Sequence, residues 1–131
     1  MDADALVIFG GPGELTVGPA PEFGGGPDSL NPEELFVAAI NSCLMMTFFY
    51  FLRKASIELP AYEADAEGQV QKGPDGLRFV DVEVHATATV KEPSLAEKVC
   101  DLAALAEKHC LVSRSVSCPV HYHLHVEISE E

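Results

Sequence analysis

The chain has 131 residues, 47% of them hydrophobic, and 21 acidic residues against 8 basic ones give a formal net charge of −13. That length predicts one domain with a real core, and that apolar fraction excludes a disordered chain. The charge repels phosphate backbones and anionic lipid surfaces, so neither nucleic acid nor a membrane is an expected partner.

The first residues, MDADALVIF, carry two acids and no basic n-region, so they do not read as a secretory leader. Four cysteines without an export signal point to a reducing, cytoplasmic compartment, where thiols serve catalysis or metal binding more often than cross-linking. Leu6 to Phe9 and Glu14 to Val17 flank a Gly/Pro turn at Gly10 to Gly13, which predicts a β-hairpin. From Gly18 to Ser29 the sequence GPAPEFGGGPDS predicts loop, with a short third strand near Phe23.

Asn31 to Leu52, NPEELFVAAINSCLMMTFFYFL, is the stretch around which the chain is organised. Asn31 suits an N-cap, Pro32 the first helical position, and Glu33 and Glu34 the positive end of the helix dipole. Leu35 to Leu52 carries no charge, and Arg53-Lys54 close the run where cations suit the dipole. A helix apolar on every face must be buried in protein or lipid. The run is just long enough to raise a membrane reading. Asn41, Ser42 and Thr47 interrupt it and no second such segment follows, so a buried central helix is expected instead.

After a connector at Ala55 to Pro60, Tyr62 to Gln71 predicts a strand and Lys72 to Gly76 a turn. The next strand alternates: Val80, Val82, Val84, Ala86, Ala88 and Val90 face one way, with Asp81, Glu83, His85, Thr87 and Thr89 opposite, as in a half-buried antiparallel strand. Ser94 with Glu97 reads as a capping box opening a second helix. Leu95, Val99, Leu102 and Ala106 give that helix one apolar stripe, and it ends near His109-Cys110. Val120 to Ile128 alternates apolar residues with His121, His123 and His125, a last strand. The expected architecture is a single α+β domain over residues 1–131, an antiparallel sheet packed with a buried central helix and a second, amphipathic one.

Taken alone, Cys43 in an apolar helix packs as a small hydrophobe. It stands beside Asn41 and Ser42, however, in a helix that otherwise avoids polarity, and a second thiol, Cys110, ends the other helix where it can reach a neighbouring element. NPEELFVAAINSC, preceded by GGGP, and LAEKHCLVSRSV together resemble the OsmC/Ohr family of organic hydroperoxide reductases, in both cysteine-bearing segments, their separation and the element order. The resemblance implies an intertwined homodimer with two interface sites, no bound cofactor, and a dithiol reductant such as a protein-bound lipoyl group. It implies that Cys43 is the peroxidatic cysteine, whose thiolate attacks an organic hydroperoxide, and that Cys110 resolves the sulfenic acid as a disulfide. Glu33 matches the family's glutamate.

That glutamate normally pairs with an arginine of the N-terminal hairpin, which stabilises the thiolate. Residues 1–30 here contain no Arg or Lys, and Pro12 stands near the arginine's place. Burial without a cation would hold the Cys43 thiol protonated at neutral pH. Because Glu33 is retained, a substitute is expected: Arg53, Arg114 or a histidine of the other subunit. The alternative is an OsmC-like protein with weak or no peroxidase activity that binds a small hydrophobic ligand in the dimer cleft. Cys100, inside a helix, reads as structural. His121, His123 and His125, with Cys110 or Cys118 nearby, are the right types for zinc or copper. A polar outer strand face explains them equally, and no metal site is assigned from the sequence.

Overall fold

The computed structural model describes residues 5–8, 13–26 and 29–130. The chain falls into two compact units, Met1–Ala38 and Ala39–Glu131. In the first, β1 (Ala5–Ile8) pairs antiparallel with β2 (Glu14–Val17), from Ala5 opposite Val17 to Ile8 opposite Glu14. The hairpin is as expected; Phe9 and most of its turn, with Pro12, lie outside the described residues. Near Phe23 the chain forms a 3₁₀ turn, Pro21–Phe23, in place of a third strand. Proline at its first position presets a helical φ and removes the N–H a strand would need. Gly25 closes that turn by donating to the Ala20 carbonyl (3.0 Å), where an added Cβ would run into the Pro19 carbonyl.

The long helix, α1 (Pro32–Lys54), begins as its sequence dictates. Asn31 Oδ1 accepts the Glu34 N–H at 2.8 Å, and Asn31 Nδ2 donates back to the Glu34 carboxylate at 2.6 Å. Pro32 takes the first position, and Arg53 and Lys54 lie in the last turn.

The second unit is built on a three-stranded sheet of order β3 (Ala61–Gly73), β4 (Gly76–Val90), β5 (Val120–Ile128). β3 and β4 form a hairpin through Pro74-Asp75, closed by Gly76 at φ 110°, a conformation that favours glycine. β5 lies parallel to β4, from Val82 opposite Val120 to Val90 opposite Ile128. The sheet is therefore mixed, which corrects the antiparallel expectation. Between β4 and β5 the chain runs through α2 (Ala96–His109), and a helical crossover returns the next strand parallel to the first. α2 is not opened by a capping box either. Pro93 starts a 3₁₀ turn, Leu95 occupies the cap without a side-chain bond, and the Ser94 hydroxyl reaches Glu92 instead (3.5 Å).

One face of the sheet presents Val82, Val84, Ala86, Ala88 and Val90, all buried, as the alternation predicts. Phe48 and Leu52 of α1 and Val99, Leu102, Ala103 and Ala106 of α2 share a core with Ala88 and Val90. Phe48 is completely buried, 5.8 Å from the Tyr62 ring and edge-on to Tyr122 at 6.3 Å. Within the single chain, α1 is buried on one face. Only Ile40, Leu44, Phe48 and Leu52, one stripe at fourfold spacing, are buried, while Met46 and Tyr50 stand 55% and 48% exposed. A sheet and one further helix cover a single side of a long rod, so a uniformly apolar sequence leaves the rest uncovered. α1 is the one helix among the described residues long and apolar enough to cross a membrane.

Phe48→Ala should lower unfolding free energy by about 3–5 kcal/mol and Asn31→Ala by about 1 kcal/mol, read from urea melts at fixed protein concentration. Equal losses for the two would contradict this account of the core.

Candidate active site

Cys43 lies on α1 beside the buried Leu44 and is itself half-buried. α2 ends at His109, and its C-cap residue, Cys110, turns out of the helix at φ −65°, ψ 116° and is fully buried. The turn that follows is tightly closed. The Cys110 carbonyl accepts from the Arg114 N–H (3.1 Å) and the Ser113 hydroxyl (3.3 Å). The Ser115 hydroxyl donates to the Leu111 carbonyl (2.9 Å), and its N–H to that of Val112 (3.0 Å). The N–H groups of Leu111 and Val112 and the Cys110 thiol lie near enough to the Cys43 sulfur to favour its thiolate.

These groups set the acidity of both thiols. Burial pushes the Cys43 thiol up, but the Val112 N–H, the Cys110 thiol, the Thr47 hydroxyl and the Leu111 N–H outweigh it and hold it below its ordinary value. The Thr47 hydroxyl donates to the Cys43 carbonyl at 2.7 Å and lies 4.0 Å from Sγ. Burial pushes the Cys110 thiol up, beyond what Ser113 returns, and a neighbouring Cys43 thiolate raises it further. The pair therefore ionises first at Cys43, with Cys110 keeping its proton as a donor to the thiolate. Both thiols are free, with no disulfide between them. Under the site, the Tyr62 and Tyr122 hydroxyls meet at 2.6 Å, and burial pushes both phenols above their usual range.

The family model for OsmC-like protein matches residues 25–128. The chain belongs to the OsmC-like family. No curated protein matches it. Among solved structures it is similar to an OsmC-like protein of Vibrio cholerae O1 biovar eltor, at TM-score 0.84 and 23% identity over 95% of this chain and 85% of that one. It is also similar to an organic hydroperoxide resistance protein of Legionella pneumophila, at TM-score 0.68 and 26% identity over 87% and 81% of the two chains. A third, an organic hydroperoxide resistance protein of Elizabethkingia anophelis, has TM-score 0.69 and 24% identity over 88% and 81%. The OsmC-like α+β fold is thus established for this chain.

Of the residues singled out from the sequence, the fold brings Cys43 and Cys110 together within the second unit. Glu33 stands half-buried in the first turn of α1, in the first unit, where residues 1–38 contain no Lys or Arg to pair with it. Neither Arg53 nor Arg114 is among the groups that act on Cys43; both side chains are exposed. Within the chain, the groups that act on Cys43 are two backbone N–H groups, a thiol and a hydroxyl. Cys118 is buried as a packed side chain, whereas Cys100 is exposed on α2 rather than interior. Sequence reading missed Leu111 and Val112, because a backbone donor leaves no mark in residue type. Thr47 was within reach of it, being four residues on from Cys43 and so on the same helix face.

A thiol held below its ordinary value is thiolate at lower pH, and one held above it only at higher pH. In a pH series, iodoacetamide should therefore label Cys43 before Cys110, as read by peptide mapping. Val112 has φ −68°, within proline's range, so Val112→Pro removes one donor while keeping that angle. Its Cys43 labelling profile should move to higher pH; an unchanged profile would show that the Val112 N–H does not hold the thiolate.

Proposed function

We propose that this protein is a thiol-dependent peroxidase that reduces organic hydroperoxides to alcohols. The observation that carries the reading is the Cys43–Cys110 pair, with the Leu111 and Val112 N–H groups and the Cys110 thiol converging on the sulfur whose acidity is raised. Only a thiolate is a competent nucleophile. It attacks the outer oxygen of ROOH, the O–O bond breaks, and the leaving alkoxide takes a proton to give ROH and Cys43–SOH. The Cys110 sulfur then attacks the sulfenic sulfur; water leaves and a Cys43–Cys110 disulfide forms. An external dithiol, a lipoyl group being the type implied by the family resemblance, returns both thiols and leaves oxidised.

Beyond Thr47, α1 and the end of α2 line an open groove of about 560 Å³ with Met46, Tyr50, Phe51 and His109. A mostly apolar groove one turn from the nucleophile suits the hydrocarbon part of an organic peroxide better than hydrogen peroxide. The same uncovered face of α1 supports a homodimer, in which a second copy would bury Met46 and Tyr50 and close the groove. Four cysteines serving as free thiols suit the reducing cytoplasm. The ligand-binding alternative rested on the missing arginine; that polar groups other than a cation hold the Cys43 thiol below its ordinary value supports the enzymatic reading over it.

The test is cumene hydroperoxide consumption with a dithiol reductant. Cys43→Ser should abolish turnover, and Cys110→Ser should allow a single turnover followed by over-oxidation of Cys43, seen by mass spectrometry. Binding of the hydroperoxide without its consumption by the wild-type protein would sink the enzymatic reading and leave the ligand-binding one.

Sedimentation at micromolar concentration should give twice the chain mass. A Met46→Glu, Tyr50→Glu double variant should sediment as the monomer. A wild-type monomer would remove the homodimer from this account.

A further inference from the structure

The outer face of the three-stranded sheet, opposite the core, is a separate chemical feature. Strand register places Asp65, His85 and His123 in one row across β3, β4 and β5, and Glu67, Glu83 and His121 in the next. Asp81 lies one step further along β4. No lysine or arginine stands in these rows, so only the histidines oppose the four carboxylates Asp65, Glu67, Asp81 and Glu83, in a chain of net charge −13.

The side chains converge on Glu83. Its Oε1 lies 2.7 Å from His123 Nε2 and its Oε2 3.6 Å from His121 Nε2. The His85 and His123 rings stack, centroids 4.8 Å apart and planes 16° from parallel. The ligand atoms of Glu83, His85 and His123 all lie within 4.8 Å of one another. One Asp81 oxygen is withdrawn from solvent with no hydrogen-bond partner among the described residues. It is 3.4 Å from His121 Nε2, so the neighbouring row is drawn towards cationic partners as well.

We propose that Glu83, His85 and His123 form a binding site for a divalent first-row transition ion of the zinc type. Two imidazole nitrogens and one carboxylate oxygen are the donor set that such ions take from side chains, with a further position open to water. At zinc bond lengths of about 2.0–2.2 Å, tetrahedral donors stand roughly 3.4 Å apart, so the widest separation in the present set must close by up to roughly 1.4 Å. Exposed side chains on a rigid strand pair can make that adjustment by rotamer changes, the ion replacing the His123–Glu83 hydrogen bond. His125 lies on the same face but outside that group, with a carboxylate contact to Glu127 at 3.9 Å. Cys110 and Cys118 are buried, and neither thiol is in the group formed by Glu83, His85 and His123. The site is independent of the Cys43 chemistry.

The probe is Co²⁺ added to the full-length reduced protein. One ion per chain should give the visible absorption of a tetrahedral nitrogen–oxygen site without the near-ultraviolet band of a cobalt–thiolate bond. Zn²⁺ should displace it, and the His85 and His123 ring signals should shift in NMR spectra. His85→Asn and His123→Asn should each weaken binding by at least about tenfold, a loss typical of disturbed metal sites. His121→Asn and His125→Asn should leave it unchanged, with circular dichroism showing that every variant folds. A thiolate band, an affinity indifferent to His85 and His123, or a loss confined to His121→Asn would each overturn the proposal.

Discussion

Phe48 packs against the Tyr62 and Tyr122 rings and shares one core with the buried stripe of α2. Its position sets where α1 sits on the sheet, and hence where Cys43, just over one turn earlier on α1, meets the end of α2. Close-packed interiors respond to changes of a methylene, so the aromatic contact leaves little freedom in that placement. The thiol pair thus inherits its geometry from a hydrophobic contact that includes neither sulfur.

Electrostatically, the site does with dipoles what a cation would do with charge. An arginine beside a buried thiolate brings its own desolvation cost and needs a carboxylate partner to hold it. Backbone N–H groups cost nothing comparable, because the turn that presents them is already closed through the Cys110, Leu111 and Val112 carbonyls. The same turn follows Cys110. In the proposed reaction, activation of the nucleophile and supply of its partner are therefore coupled to one short segment, and a shift of that segment would change both together. Oriented donors in a partly dry setting act more strongly than in water.

The two faces of the sheet divide the labour. The inner face, Val82 to Val90 with Tyr62 and Tyr122, supports α1 and the thiols. The outer face collects histidines and carboxylates whose charges nothing basic in the strand rows offsets. In a strand the side-chain period is two, so a single register decides both surfaces at once.

Much of this was legible in the chain itself. Asn31, Pro32 and the Glu pair fixed the start of α1, and Arg53-Lys54 its end, because capping and dipole effects are local. The alternations of β4 and β5 named their buried faces, since burial on one side of a strand writes itself at every second residue. The two cysteine-bearing segments pointed to the family. The capping box at Ser94 failed because Pro93 imposes its own φ one residue earlier. Only the tertiary structure decided the rest. The parallel pairing of β5 follows from where the α2 crossover delivers the chain, a long-range matter that no residue type reports. Covering α1 on one stripe alone depends on how much surface the other elements offer. The acidity of Cys43 depends on two peptide N–H groups from residues 111 and 112, distant in sequence. Every residue but proline carries that donor, so only the path of the backbone could show which ones reach the sulfur.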